Sequence, residues 1–350
     1  MKNNRANALR DKPKMYDVAQ LANVSLMTVS RVLNGAAHVS PQTTQRVQSA
    51  IKQLKYHPNE LARAFRGQQT KVIGLILPYL YDPFFATCAH AVTTVAKEHG
   101  YSVLMTTSNE SPDIEYLEAE QMIQRNIEGM LVIPAGAKTS KLTRSMFGKL
   151  PVVVFDRPLS GHSFDTVTVQ NHLGVKKIVQ HLIEHGHRNI CFMGLSKKLY
   201  TINARYLGYC HAMQEAALDK DDFQGCDSLE ATISTIANKL KSKNPPTAFF
   251  ASNNLATRNV LVALQHLKIR IPDEIAFAGF DDSDLAQFTT PSLTVVRQPE
   301  QKLGSTAVRL LFDRIINKQS LATAHTVILP VEIVLRHSCG CKDESTFIVS

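Results

Sequence analysis

Apolar residues follow helical spacing through the first sixty positions, and the period changes after Lys71. Val18, Leu21 and Ala22 mark one face of a first helix starting near Met15. Asn23-Val24 reads as a tight turn, and Ser25 is placed to cap a second helix running to about Leu33, with Val29 and Val32 facing inward. Ser40 followed by Pro41 predicts an N-cap with proline in the first turn, opening a third helix whose core face is Val47, Ala50, Ile51 and Leu54. Pro58 breaks the pattern, and a helix-prone piece from Asn59 to Arg66 ends at Gly67.

Beyond Lys71, short strand runs alternate with amphipathic helices. Strands are expected at Val72 to Leu77, Ser102 to Met105, Met130 to Ile133, Val152 to Phe155, Ile190 to Met193, Ala248 to Ala251 and Ile275 to Ala278. Helices are expected at Pro83 to His99, Glu115 to Arg125, Leu173 to His185 and Leu255 to Leu267. This alternation predicts parallel sheets with right-handed crossovers, and the length suits two such sheets facing each other across a cleft. Ligands of such folds sit beyond the C-terminal ends of the strands.

Charge sharpens the division. The 350-residue chain carries a formal net charge of +9. Residues 1–70 hold eleven basic side chains and three acids, so about +8 belongs to the small helical module and the rest is nearly neutral. A basic module on a neutral body is the electrostatic footprint of nucleic-acid binding. The basic, polar first fourteen residues have no apolar stretch behind them, so no secretory signal peptide is expected. The longest apolar run, Val72 to Leu80, contains Pro78 and is too short to span a membrane. Six cysteines, five of them scattered, suit a reducing cytoplasm rather than a dense disulfide framework.

A helix-turn-helix places the start of its second helix in the major groove. Arg31 can donate two hydrogen bonds to guanine, and Leu26 and Met27 can lie against a thymine methyl. Ser25, Thr28, Ser30 and Asn34 are candidate phosphate contacts.

The stretch Met15-Tyr-Asp-Val-Ala-Gln-Leu-Ala-Asn-Val-Ser-Leu-Met-Thr-Val-Ser-Arg-Val-Leu-Asn-Gly35, with His38-Val39-Ser40 and Tyr56-His-Pro-Asn-Glu-Leu-Ala-Arg63, resembles the DNA-binding headpiece of the lactose-repressor and galactose-repressor family (LacI/GalR). Ile73-Gly74-Leu75-Ile76, Asp82-Pro83-Phe84-Phe85, Asp156-Arg157-Pro158, Gly186-His187-Arg188-Asn189-Ile190, Arg205 with Gly208-Tyr209, and Gly279-Phe280-Asp281-Asp282 extend the likeness through residues 15 to 340. The resemblance implies an all-α helix-turn-helix headpiece plus an α/β, periplasmic-binding-protein-like body of two parallel-sheet subdomains. It implies a basic extension over 1–14, a headpiece over 15–57, and a hinge helix and linker over 58–70. An effector-binding and dimerisation domain follows over 71–341, with one subdomain from about 71–169 and 299–328 and the other from about 170–298 and 329–341. A polar tail, 342–350, lacks leucine heptads, and a homodimer is expected.

By motif position, Tyr16, Ser25, Thr28, Ser30, Asn34 and His38 would touch the DNA backbone of a double-stranded operator, and Leu26, Met27 and Arg31 would read bases. Phe65 stands where the family has a leucine that wedges into the minor groove, a substitution compatible with intercalation. The resemblance assigns effector contacts to Arg205 and Asp281, with Asn253 in support; Asp82, Phe84, Phe85, Asp156 and Arg157 lie at strand ends facing the cleft. Asn254 replaces a usual aspartate. The effector is expected to be a sugar, a sugar acid, or a nucleoside or nucleobase, with no cofactor and no membrane. A free sugar-binding protein and a sugar-acting enzyme are the competing classes; no catalytic constellation supports the second. His181-Leu-Ile-Glu-His185 has zinc-protease spacing but no third ligand evident in sequence, and Cys339-Gly-Cys341 is too short to be a zinc site by itself, so no metal is expected. The acids of Asp219 to Asp222 read as a solvated loop.

Overall fold

The computed structural model describes residues 13–33, 39–56, 69–136, 139–161, 164–317 and 323–349. Asn34, His38 and Phe65 lie outside them, as does the hinge segment apart from its last two residues. The chain divides into two compact units at Thr70 and Lys71.

In the first unit, α1 (Met15–Ala22) ends where Asn23 adopts a left-handed conformation, φ 49°, and its N–H returns to the helix's last carbonyls. Asparagine tolerates that conformation better than most residues, which sharpens the turn into α2 (Leu26–Leu33). The Ser25 hydroxyl accepts from the Thr28 backbone N–H at 3.1 Å, capping α2. Ser40 does the same for α3 (Pro41–Leu54) through Thr43 at 3.3 Å, with Pro41 in the first turn. Val18, Ala19, Ala22, Val29, Val47 and Ala50 form the small core. Leu21, expected inside, is 46% exposed. Ala19 takes the buried position because it adjoins Val18 and Ala22 on the packed face.

The second unit contains two sheets. In chain order its elements are β1 (Val72–Leu77), α4 (Pro83–Glu98), β2 (Ser102–Thr107), α5 (Pro112–Gln124), β3 (Met130–Val132), α6 (Arg144–Phe147), β4 (Val152–Phe155), β5 (Asp165–Val169), α7 (Asn171–Glu184), β6 (Ile190–Gly194), α8 (Tyr200–Glu215), β7 (Asp221–Gln224), α9 (Leu229–Leu240), β8 (Ala248–Ala251), α10 (Asn254–His266), β9 (Ala276–Phe280), α11 (Asp284–Phe288), β10 (Thr294–Arg297), α12 (Glu300–Ile315), β11 (Thr326–Leu329), β12 (Glu332–Leu335) and β13 (Ser345–Ile348). The first sheet, ordered β11-β5-β4-β3-β1-β2, is parallel throughout. The second, β13-β12-β10-β9-β8-β6-β7, is parallel except where β12 meets β10 and β13 meets β12.

Val152–Phe155 and Ala248–Ala251 are buried along their whole length, as strands covered on both faces must be. The chain passes between sheets three times, after β5, after β10 and between β11 and β12. One apolar cluster runs through both sheets, joining Ile73 and Val167 to Phe192 and Ala278.

Two expectations are corrected. Asp221 and Asp222 belong to an edge strand, not a solvated loop: Asp221 pairs with Lys239, and Asp222 with Lys197 at 2.9 Å. The segment after 341 is not simply a polar tail. Its Ser-Thr-Phe-Ile run has strand propensity and pairs antiparallel with β12, and the Val349 N–H donates to the Val331 carbonyl at 2.8 Å.

Candidate functional site

The headpiece presents an unusual surface for a unit so small. Tyr16 is 63% exposed and Met27 65%, with Leu26 also largely uncovered, although each apolar side chain left in water forgoes roughly 1.5–3 kcal/mol of burial. Met27 and Arg31 stand four residues apart, on one side of α2. The Ser25 and Thr28 hydroxyls lie 2.9 Å apart at its exposed N-terminus and shape that end of the helix. Ser30 is half-buried next to the core residue Val29. Lys14, Arg31, Arg46, Lys52 and Lys55 face a single acid among the described residues, Asp17, whose carboxylate accepts from the Lys14 backbone N–H. An apolar and basic surface of this kind suits base edges and phosphates.

The second site is a cavity of about 960 Å³ in the body. All eight effector residues expected from sequence line it: Asp82, Phe84, Phe85, Asp156, Arg157, Arg205, Asn253 and Asp281. Their roles divide once hydrogen bonds are assigned.

Arg205, on α8, is buried at the cavity wall. Its Nε donates to Asn171 Oδ1 and its Nη1 to the Ser252 carbonyl, both at 2.8 Å, while the guanidinium lies 3.6 Å from the centre of the Phe280 ring. Gly208 makes the first of these bonds feasible. A Cβ there would lie 2.2 Å from the His172 carbonyl oxygen, so only glycine lets α8 approach α7 closely enough.

Asp281 follows β9 with φ 81°, and Asp156 follows β4 with φ 64°. Each sheet thus ends a central strand in a left-handed aspartate aimed at the cleft, a strained placement typical of functional positions. Asp281 accepts from Gln298 Nε2 at 2.6 Å and from the Asn254 N–H at 3.2 Å. Burial raises its carboxyl to about 6, with Asp82 adding to the shift and Arg205 opposing it. Glu300 is pushed up to about 8 by burial and then by Asp281 and Asp82, so negative charge is crowded here. Gln298 Oε1 is buried without a hydrogen-bond partner.

Arg157 lies at the cleft as expected, and its guanidinium is engaged by protein groups. Its Nη1 and Nη2 form a two-point pair with Glu110 at 2.6 and 2.8 Å, Nη1 also donates to the Pro134 carbonyl, and Nε meets Asp156 at 3.1 Å. Burial opposes the charge of Arg157, but Glu110 and Asp156 outweigh it and hold the guanidinium protonated. Its fork is occupied in building the wall. Phe84 and Phe85 belong mainly to the core and stack edge to face at 5.2 Å. Tyr79, Tyr81 and Tyr200 add aromatic surface to the cavity. These tyrosines, Glu110 and Gln298 were not singled out from sequence, because no local spacing links them.

Asn253 caps α10 through Ala256. Asn254 supplies a link between subdomains: its Nδ2 donates to Asp82 Oδ1 at 3.0 Å. Aspartate at 254 would set two carboxylates against each other, which gives the asparagine a physical reason.

His181 and His185, for which the sequence shows no third ligand, have cysteines beside them in the fold. The turn after β12 lays Cys339 and Cys341 against the end of α7, and His181, His185 and Cys341 have ligand atoms within 4.8 Å of one another.

Comparison with known proteins matches both units of the chain. Residues 14–59 match the description of bacterial regulatory proteins of the lacI family, and residues 179–339 match a periplasmic binding protein-like domain. The HTH-type transcriptional repressor PurR of Mannheimia succiniciproducens is 31% identical over 326 residues, covering 92% of this chain and 97% of that protein. Catabolite control protein A of Priestia megaterium is 29% identical over 328 residues, 93% and 98% of the two chains. Among solved structures, the lac repressor dimer bound to operator and the anti-inducer ONPF superposes with a TM-score of 0.82 at 22% identity, over 94% of this chain and 99% of that one. A complex of the transcriptional regulator CelR with cellobiose gives 0.68 at 26% identity, over 93% and 99%. The matching family model and the relatives make this a ligand-responsive, DNA-binding transcriptional regulator, not an enzyme. The chain belongs to the LacI family.

Proposed function

We propose that this regulator is a cytoplasmic repressor that binds a palindromic operator as a homodimer and responds to a sugar or sugar acid held between its subdomains. The observation that carries the effector class is the pairing of buried Arg205 and Asp281 in one cavity, both already fixed by protein partners. Such groups offer a preorganised donor and acceptor to ring hydroxyls, and an arginine fork also suits a carboxylate. Tyrosine faces around them suit the apolar face of a sugar ring. The cellobiose bound by CelR supports this class.

Ligand that prefers one cleft geometry shifts the spacing of two headpieces and thereby operator affinity. A thermal-shift screen of sugars, sugar acids, nucleosides and nucleobases tests the reading, because a ligand of the native state raises apparent stability. A sugar or sugar acid is expected to raise the melting temperature and change operator retention in a gel shift, and Arg205→Ala to lose both effects while still binding operator. A response confined to nucleosides or nucleobases overturns the effector class.

A further inference from the structure

We propose that the C-terminal end of α7 and the Cys339-Gly340-Cys341 turn form a metal site for a zinc-like divalent cation, with His181, His185 and Cys341 as its core ligands and Cys339 as the fourth. His181 and His185 are one helical turn apart, so their rings project to the same side, with centroids 4.1 Å apart. The Cys341 sulfur lies 3.4 Å from His181 Nε2 and 3.3 Å from His185 Nε2, and the Cys339 sulfur lies 3.4 Å from His181 Nε2. Zinc–nitrogen and zinc–sulfur bonds at tetrahedral angles separate nitrogen from sulfur by about 3.6 Å. His181, His185 and Cys341 therefore already stand near ligand spacing, while Cys339 adjoins His181 and would turn its sulfur toward the other two to close the fourth position.

Three further details favour coordination over a chance cluster. The His185 Nδ1 lies 3.0 Å from the His181 carbonyl, an arrangement that places the proton on Nδ1 and leaves the Nε2 lone pair toward the sulfur. Gly340 has φ 93°, a left-handed turn between the cysteines that brings both sulfurs to the face of α7. The Thr294 hydroxyl lies 3.0 Å from the Cys339 sulfur, where it can donate to a thiolate. Two imidazoles and two thiolates are a structural zinc set, and on binding the thiols release their protons to solvent. Exposed His185 and partly exposed Cys341 provide the path of entry. The ion would join α7 to the chain just before β13, elements more than 150 residues apart in sequence.

The test uses the full, tag-free chain, reduced and stripped with a chelator, then titrated with cobalt(II) and with zinc. One equivalent of cobalt is expected to produce a sulfur-to-cobalt charge-transfer band and the intense visible bands of four-coordinate cobalt, with zinc displacing it and raising the melting temperature. His185→Gln and Cys341→Ser are each expected to weaken binding by more than the roughly 10–100-fold seen when only outer supporting groups are lost. Both should leave operator binding intact. His185 is exposed, so its variant decides the matter even if Cys341→Ser fails to fold. No charge-transfer band, bands unchanged in the His185 variant, or equal stabilisation of wild type and variant by zinc overturns the site. So does a Cys339–Cys341 disulfide whose reduced form takes up no cobalt.

Discussion

Arg31 and Glu300 show how a single side chain is read against its surroundings. Arg31 is exposed at the last turn of α2, four residues after Met27, and its proposed role is to address a guanine edge. Arg31→Ala is expected to cost about 1–3 kcal/mol of operator binding and to relax one base position. Equal loss across all operator variants in a gel shift would instead indicate a phosphate contact. Glu300 sits where burial and two neighbouring acids raise its carboxyl from an ordinary 4.5 to about 8. A raised carboxyl binds its proton more tightly in the folded state, so stability falls as pH rises from about 4.5 to about 8. Glu300→Gln removes that penalty. Its melting temperature should match wild type near pH 4 and exceed it near pH 8, where the stability gain is roughly 2–4 kcal/mol once partial exposure is allowed for. A constant difference across that range would show that the gain is packing and not charge.

At the scale of elements, the contact between α7 and α8 governs the cleft. The sequence marks Arg205 and Gly208 as a motif, and the structure supplies its cause, since the glycine permits the approach that lets Asn171 hold the arginine. Gly208→Ala is expected to destabilise the body by about 1–3 kcal/mol and to weaken effector binding more than operator binding. Isothermal titration set beside thermal melts separates the two. The same scale explains what was legible beforehand. Helices with capping serines and strands with continuous apolar runs, such as α3 and β4, announce themselves locally. β5 and β7 do not, because Asp165 is buried in a two-point pair with Arg314 and the acids of β7 are matched by lysines from other elements. The cleft residues at strand ends were likewise readable from motifs. Gln298, Glu110 and the histidine–cysteine cluster depend on contacts across the fold, which no local pattern encodes.

For the whole molecule, charge and geometry are divided between the units: nearly all of the net positive charge belongs to the helix-turn-helix module, while the body is close to neutral and its cavity is lined by a few placed groups. The Asn254–Asp82 hydrogen bond joins the two sides of the cleft within that body. Asn254→Asp substitutes like-charge repulsion worth about 4 kcal/mol at an effective dielectric of roughly 20. The variant is expected to open the cleft, visible as a larger radius of gyration in small-angle scattering, and to shift operator affinity in the absence of effector. Unchanged scattering would mean that the bond does not hold the subdomains together.

The three passages of the chain between sheets carry a last consequence, for cutting and grafting. A protease that nicks one passage leaves the halves joined covalently by the other two, so a single cleavage cannot release a subdomain. Nor is either half one continuous stretch of gene. Exchanging the half built on the second sheet with that of a relative would mean transplanting at least two separated segments, with β12 and β13 travelling alongside β6 to β10.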